Sequence, residues 1–210
     1  MENYFFDFDG TLADSGDIAV MATQNTFKKA GLEMPNADVI RGYMGIPIEE
    51  SFSLMGASKE KLAAMFEFFR KDYQENEKTH VKLFPQIKET LVELKQRQKN
   101  IYGVSSKHSE ALARNLENLE IAEYFDDLVG SDNVQNYKPA PDGIDLLVKR
   151  YDLVREQSVM IGDAIYDIQM GYNANVKTCA VHWGAFDWPK VLAEKPSFTV
   201  DEPRQLLEID

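Results

Sequence analysis

The sequence of 210 residues contains little cysteine, little histidine and no long apolar run. The single cysteine, Cys179, excludes an intramolecular disulfide framework and a zinc site built from several cysteines. The three histidines lie far apart and match no metal-binding spacing. No stretch approaches the ~20 apolar residues of a membrane-spanning helix, and no secretory signal is recognisable at the start. We therefore expect a cytoplasmic protein without a membrane partner.

Positive charge is also scarce, because 23 Lys and Arg residues stand against 35 Asp and Glu residues, for a net charge of −12. A field of this sign repels phosphate backbones, so nucleic acids and anionic membranes are not expected as partners. A small anionic substrate remains compatible, because a bound cation or one well-placed lysine reverses the field locally. The sequence leaves the oligomeric state open.

Short apolar segments alternate with amphipathic helical segments over most of the chain. Strands are predicted at residues 4–8, 101–104, 128–129, 159–161, 178–181 and 198–200. Helices are predicted from residue 84 onward and at residues 110–119, 142–151 and 167–174. This alternation favours an α/β fold, a doubly wound parallel sheet covered by helices on both faces.

The segment between Asp14 and His80 shows no convincing strand. It contains a predicted helix at Asp17–Ala30, capped by Gly31, and a long helix that begins after Ser58. We therefore predict an all-helical cap at residues 14–81, inserted into an α/β core formed by residues 1–13 and 82–210. Hinges are expected near residues 12–16 and 78–82.

Polar side chains follow the ends of several predicted strands, where ligands bind in an open parallel sheet. They are Asp7 and Asp9, Ser105 and Ser106, and Asp163 with Asp167; Lys138 lies in the loop before a predicted helix. Clustered carboxylates raise one another's pKa unless a cation lies among them. Carboxylate oxygens suit Mg²⁺, which often recruits a substrate phosphate. The pattern therefore predicts a Mg²⁺ site for phosphoryl transfer, in which positioning and charge neutralisation dominate.

Four segments resemble, in order, the motifs of the haloacid dehalogenase superfamily. They are Asp7-Phe8-Asp9-Gly10-Thr11, Ser105 after an apolar strand, Lys138-Pro139-Ala140-Pro141, and Gly162-Asp163 followed by Asp167. The helical insert is similar to the cap of the subgroup that holds phosphoglycolate phosphatase, beta-phosphoglucomutase and related pyrophosphatases. The resemblance covers nearly the whole chain and implies a phosphatase acting on a small phosphorylated metabolite.

The resemblance also implies a role for each site residue. Asp7 would attack phosphorus and form an aspartyl-phosphate, and Asp9 would protonate the leaving oxygen and then activate water. The Mg²⁺ ligands would be Asp7, the backbone carbonyl of Asp9, and Asp163, while Asp167 would hold a metal-bound water or orient Lys138. The phosphate-binding residues would be Ser105, Ser106, Lys138 and Gly10, with backbone N–H groups near Phe8 and Ser106.

Differences among members of the superfamily bear on the reaction. The acid at Asp9 argues against carbon–halogen cleavage and against phosphonoacetaldehyde hydrolysis. Gly162 before Asp163, where the mutase branch usually has glutamate, favours a phosphatase. A sugar phosphomutase and a noncatalytic binding protein on the same scaffold remain alternatives. Phosphoglycolate, pyrophosphate, a nucleotide and a sugar phosphate all remain open as substrates.

Two further basic residues are candidates for substrate contact. Arg41 lies beside a Gly-x-x-Gly loop in the predicted cap, where it could bind a substrate anion. Lys107 follows the second motif and could either contact the substrate or lie on the surface.

Overall fold

A six-stranded sheet with helices on both faces forms the centre of the protein, in a computed structural model that describes residues 1–210. The strands are β1 (Asn3–Phe6), β2 (Ala13–Asp14), β3 (Lys82–Leu83), β4 (Asn100–Val104), β5 (Asp127–Val129), β6 (Ser158–Gly162), β7 (Lys177–Val181) and β8 (Phe198–Val200). The helices are α1 (Gly16–Lys29), α2 (Ala37–Gly42), α3 (Ile48–Leu54), α4 (Lys59–His80), α5 (Ile87–Gln96), α6 (Ser109–Asn118), α7 (Asp142–Tyr151), α8 (Ile165–Asn173) and α9 (Trp188–Ala193).

The sheet has the strand order β5-β4-β1-β6-β7-β8, with β1 near its middle. Every neighbouring pair is parallel. The carboxyl ends of parallel strands meet at one edge of the sheet, so the residues that follow β1, β4 and β6 lie at the same edge. The predicted doubly wound α/β fold is confirmed.

Successive residues of β1 contribute to hydrophobic cores on opposite faces of the sheet. Tyr4 and Phe6 pack with apolar residues of α1, α5 and α6, whereas Phe5 packs with apolar residues of α7 and α8. Side chains alternate between faces along a strand, so a strand covered on both faces requires an uninterrupted apolar run. The residues that follow β1 therefore extend from a strand buried on both faces.

A second, two-stranded sheet joins the two segments that connect core and cap. In it β2 pairs with β3 in antiparallel register, Ala13 opposite Leu83 and Asp14 opposite Lys82. The sequence does not indicate these strands, because a segment of two residues is too short to show a period of two. The hydrogen bonds between them hold the two predicted hinge regions side by side.

Between β2 and β3 the chain forms the helices α1 to α4 and no strand. Aromatic rings fill the centre of this helical cap, where Phe52 meets Phe27 and Phe69 edge to face, at 5.3 and 5.6 Å between ring centroids. Gly31 follows α1 with φ of +68°, the left-handed conformation that glycine adopts readily beyond a helix C-terminus. The cap is thus helical as predicted, while its boundaries at residues 14 and 81 stay a prediction.

The C-terminal half of α4 is attached to the core through one buried carboxylate. Glu77 accepts hydrogen bonds from Arg114 at 2.5 and 3.1 Å, from Asn115 at 2.7 Å and from Asn118 at 3.3 Å, all in α6. Its side chain is 2% exposed, whereas that of Arg114 is 28% exposed.

No helix, α4 included, is both long enough and apolar enough to cross a membrane.

Replacing Glu77 with alanine should lower the free energy of unfolding by about 2 kcal/mol, because it leaves several donors of α6 without their acceptor. Urea or thermal unfolding measures this change. The control is Glu75→Ala in the same helix, since Glu75 is 61% exposed and lies 3.9 Å from Lys71, a geometry worth only a few tenths of a kcal/mol. Equal stability of the two variants would contradict a stabilising role for the Glu77 cluster.

Candidate active site

A buried lysine links two aspartates at the carboxyl edge of the sheet. Lys138 Nζ donates hydrogen bonds to Oδ1 of Asp7 at 2.6 Å and to Oδ1 of Asp167 at 2.7 Å. All three side chains are almost completely buried. Asp7 directly follows β1, and Lys138 lies in the loop that precedes α7. The lysine thus fixes one oxygen of Asp7 and leaves its other oxygen without a hydrogen bond.

Asp163, which follows β6, completes a cluster of three carboxylates. Oxygen atoms of Asp7, Asp163 and Asp167 all lie within 4.8 Å of one another. Burial raises the pKa of Asp7 to about 7, and the Lys138 ammonium opposes this rise. Burial also raises the pKa of Asp163 well above its ordinary value, and the charge of Asp167 adds to the rise. The single ammonium of Lys138 therefore does not offset the negative charge of the three buried carboxylates.

These residues fit a divalent cation. One oxygen of Asp163 accepts a hydrogen bond from the Thr11 hydroxyl at 2.8 Å, and its other oxygen has no partner in the chain. Both oxygens of Asp167 are engaged, by Lys138 and by the backbone N–H of Ala164 at 3.0 Å. Carboxylate oxygens suit Mg²⁺, and a cation here would bring the raised pKa values down. The unengaged oxygens of Asp7 and Asp163 are therefore the ones that could hold the ion, and Asp167 is placed to orient Lys138.

The carboxylate of Asp9 is held from two sides. Ser15 donates a hydrogen bond to Oδ1 at 2.5 Å, and Lys107 Nζ lies 3.2 Å from Oδ2. The same ammonium donates to the hydroxyl of Tyr73 in α4 at 3.2 Å. Burial is the largest single effect on the pKa of Lys107 and lowers it, but Asp9 and Tyr73 together raise the pKa above its ordinary value, so the side chain is a cation. The backbone carbonyl of Asp9 accepts no backbone hydrogen bond, so it remains open as the predicted third ligand.

Ser105 and Ser106 follow β4 at the same edge of the sheet, but their hydroxyls have different surroundings. Ser105 is buried, and its Oγ accepts a hydrogen bond from the backbone N–H of Lys107 at 3.1 Å. Ser106 Oγ donates to the carbonyl of Gly45 in the cap at 2.7 Å. The Ser105 hydroxyl proton is therefore available to a ligand, whereas the Ser106 hydroxyl joins core and cap.

Backbone N–H groups near the carboxylates form a candidate anion site. Those of Phe8, Asp9 and Ser106 donate to no other backbone group, while that of Gly10 donates to the carbonyl of Ala13 at 2.9 Å. Clustered unengaged N–H groups attract anions. The donors expected near Phe8 and Ser106 are thus available, but Gly10 would have to give up a hydrogen bond to bind phosphate.

Two glycines leave room for the acidic cluster. A Cβ on Gly162 would lie 2.2 Å from Cγ of Asp167, so glycine at the end of β6 lets that carboxylate reach Lys138. Gly10 has φ of +85°, and a Cβ there would lie 2.3 Å from Oδ2 of Asp163. Any larger residue at either position would displace a carboxylate of the cluster.

A cavity of about 270 Å³ lies between cap and core. Its core side presents Asp7, Asp9, Ser105, Ser106 and Lys107. Its cap side combines apolar residues, among them Ile40, Met44, Ile48 and Phe69, with the charged residues Glu49 and Arg70. Ligand pockets commonly measure about 300–1,000 Å³, so this cavity suits a small molecule.

Arg41 lies apart from this cavity. Its guanidinium pairs with Asp17 at 2.5 Å. It lines a second cavity of about 540 Å³ that reaches Asp163 but neither Asp7 nor Asp9. The structure therefore does not bring Arg41 to the two proposed catalytic aspartates, and its contact with a substrate anion stays a prediction.

Three residues that contact the site are not among those predicted from the sequence. Thr11 binds Asp163, Ser15 binds Asp9, and Tyr73 binds Lys107. Thr11 and Ser15 lie within nine residues of Asp7, so proximity in the chain was an available signal for them. For Tyr73 no sequence signal was available, because its helical spacing equally fits packing inside the cap.

Residues 4–181 match the haloacid dehalogenase-like hydrolase family. A phosphoglycolate phosphatase from Aquifex aeolicus is 32% identical over 210 residues, covering 100% of this chain and 96% of the relative. A pyrophosphatase, PpaX, from Oceanobacillus iheyensis is 28% identical over 204 residues, covering 97% of this chain and 94% of the relative. A solved haloacid dehalogenase-like family hydrolase from Streptococcus pneumoniae superposes with a TM-score of 0.88 at 30% identity, covering 99% of this chain and 97% of the other. With a family match over most of its length and relatives of nearly equal length, the chain belongs to the haloacid dehalogenase-like hydrolase family and is a phosphatase of that family.

Proposed function

We propose that the protein is a Mg²⁺-dependent phosphatase that hydrolyses a small phosphomonoester through an aspartyl-phosphate on Asp7. The observation that carries this proposal is the Lys138 ammonium, which lies 2.6 Å from Oδ1 of Asp7 at the edge of an acidic cluster. A fixed cation beside a carboxylate both orients that carboxylate and attracts a phosphoryl group. The cavity of about 270 Å³ beside Asp7 limits the ester to a small molecule.

In the first step an oxygen of Asp7 attacks phosphorus. The bond between phosphorus and the leaving oxygen breaks, and Asp9, in its acid form, transfers its proton to that oxygen. Lys138, the Ser105 hydroxyl and the N–H groups of Phe8 and Ser106 would bind the nonbridging oxygens of the phosphoryl group. The products of this step are the free alcohol and phosphorylated Asp7.

In the second step water attacks the same phosphorus atom from the side that the alcohol has left. Asp9, now a carboxylate, accepts a proton from the water as the bond to Asp7 breaks. Inorganic phosphate leaves, Asp7 regains its carboxylate, and Asp9 is protonated again. Asp9 can thus serve as acid and then as base, because it gives up a proton in the first step and takes one back in the second.

Mg²⁺ would be held by Asp7, Asp163 and the backbone carbonyl of Asp9. It would supply positive charge against the phosphoryl oxygens during transfer. Relatives named phosphoglycolate phosphatase and pyrophosphatase support a small phosphorylated metabolite as substrate. A phosphomutase would share the first step but return the phosphoryl group to a sugar, so release of inorganic phosphate rather than an isomer distinguishes the two.

The Asp9→Asn variant tests the proposed intermediate. With p-nitrophenyl phosphate and Mg²⁺ it should release a burst of about one p-nitrophenol per protein and then turn over slowly, because this leaving group departs without a proton while hydrolysis still needs the base. After an acid quench, mass spectrometry should find the phosphoryl group on the peptide that contains Asp7.

EDTA should remove the burst. The control is Asp152→Asn, an exposed residue that follows α7 in the left-handed conformation, which asparagine also tolerates. This variant should show no burst and the steady turnover of the wild type. A linear time course for Asp9→Asn, with no phosphopeptide, would rule the intermediate out.

A further inference from the structure

Lys107 lines the cavity of about 270 Å³, and its ammonium lies beside Asp9, whereas that of Lys138 lies beside Asp7. Lys107 Nζ lies 3.2 Å from Oδ2 of Asp9, and its side chain is only 13% exposed. On the cap side the ammonium lies 3.2 Å from the Tyr73 hydroxyl and 4.4 Å from the centroid of the Tyr73 ring. A buried ammonium requires polar partners, and Lys107 has one from the core and one from the cap.

Tyr73, which contacts Lys107, is itself held in place by packing. The ring is 5% exposed and packs against Phe69 at 5.7 Å between centroids. One turn further along α4, Glu77 binds α6, so this part of the helix is attached to the core. The Tyr73 hydroxyl accepts a hydrogen bond from Lys107. Because Tyr73 is fixed by its packing, this hydrogen bond fixes the position of the Lys107 ammonium.

We infer that Lys107, held by Tyr73, is a positioning residue that turns the Asp9 carboxylate towards the leaving group. Ser15 holds one oxygen of Asp9 and Lys107 the other. Without Lys107 the carboxylate can rotate about the single contact that remains. Proton transfer requires the acid to lie within hydrogen-bonding distance of the leaving oxygen, so this freedom slows the first step. The inference rests on the proposed function, in which Asp9 is the general acid.

Dependence on the leaving group tests this role. In Lys107→Met, kcat/KM for an alkyl ester such as glycerol 2-phosphate should fall about 30-fold, because an alkoxide needs a proton to leave. For p-nitrophenyl phosphate the fall should be about threefold or less, because that leaving group needs no proton. The control is Lys78→Met, an exposed lysine of α4, which should behave as the wild type with both esters.

Two more variants separate positioning from folding. Tyr73→Phe keeps the ring and removes only the hydroxyl, and it should reproduce the same selective loss at about fivefold. Lys107→Arg keeps the charge and should recover part of the activity on the alkyl ester. Thermal unfolding of each variant shows whether it is folded at the assay temperature.

The outcomes are distinct. Selective loss with the alkyl ester, partly recovered in Lys107→Arg, supports the inference. Equal losses with both esters would assign Lys107 to substrate binding and overturn it, and so would unchanged activity in Lys107→Met. A wild-type protein that releases phosphate from neither ester would instead overturn the proposed function itself.

Discussion

Asp7→Asn should lower phosphate release by at least about 10³-fold, the scale seen when a nucleophile is removed from an enzyme that forms a covalent intermediate. The asparagine amide occupies the same space as the carboxylate but has no oxygen nucleophile. Its oxygen can still accept the hydrogen bond that Lys138 gives to Asp7, so the surrounding structure should persist. A phosphate-release assay with Mg²⁺ measures the loss, and Asp152→Asn is the matched control.

Stability distinguishes loss of a nucleophile from loss of the fold. Burial raises the pKa of Asp7 to about 7 in the absence of a metal ion, so the carboxylate is a destabilising group in the folded cluster at neutral pH. Asp7→Asn removes that charge, and in EDTA the variant should unfold at the same temperature as the wild type or higher. An Asp7→Asn protein that is folded and fully active would remove Asp7 as the nucleophile.

The sheet and most of the acidic cluster could be predicted from sequence because each depends on a local pattern. The apolar run before Asp7 reports a strand buried on both faces, and polar residues directly after three strands must meet at one sheet edge whatever the loops do. Lys138 is harder to predict, because a lysine in a loop is ordinarily exposed. Only its place in the third of the four motifs that resemble the family points to a role in the site. The structure then shows its ammonium between Asp7 and Asp167.

Contacts between cap and core could not be predicted, because they depend on how two separate units dock. Nothing near Tyr73 in the sequence indicates that its hydroxyl meets Lys107, 34 residues later. Glu77 looks like one more polar residue of a long helix, although it is buried against α6. Arg41 shows the converse, since its place beside a glycine-rich loop suggests substrate contact while the guanidinium pairs with Asp17.

Lys138→Met should affect both catalysis and stability, because the ammonium is the only cation in contact with Asp7 and Asp167. Methionine has a similar length and no charge. Turnover should fall by about 10³-fold, since the variant loses the fixed charge that orients Asp7 and faces the phosphoryl oxygens. In EDTA the free energy of unfolding should fall by about 3 kcal/mol, the scale for leaving a buried charge without its partner.

The loss of stability in Lys138→Met should grow as pH rises, because the carboxyl groups of the cluster lose their protons. Burial already raises the pKa of Asp7 to about 7 with Lys138 present, and removing the ammonium raises it further. A carboxyl whose pKa is higher in the folded than in the unfolded protein binds protons preferentially in the folded state, so stability is lost as pH rises above about 4. The wild type loses stability in the same way between about pH 4 and 7. The deficit of the variant should therefore be small near pH 4 and grow as pH rises from 7 to 8, and Mg²⁺ at pH 8 should recover part of it. Urea unfolding at pH 4 and pH 8 measures the deficit. The control is Lys149→Met, since Lys149 is an exposed lysine of α7. A deficit that does not change with pH would mean that charge repulsion in the cluster is not its cause.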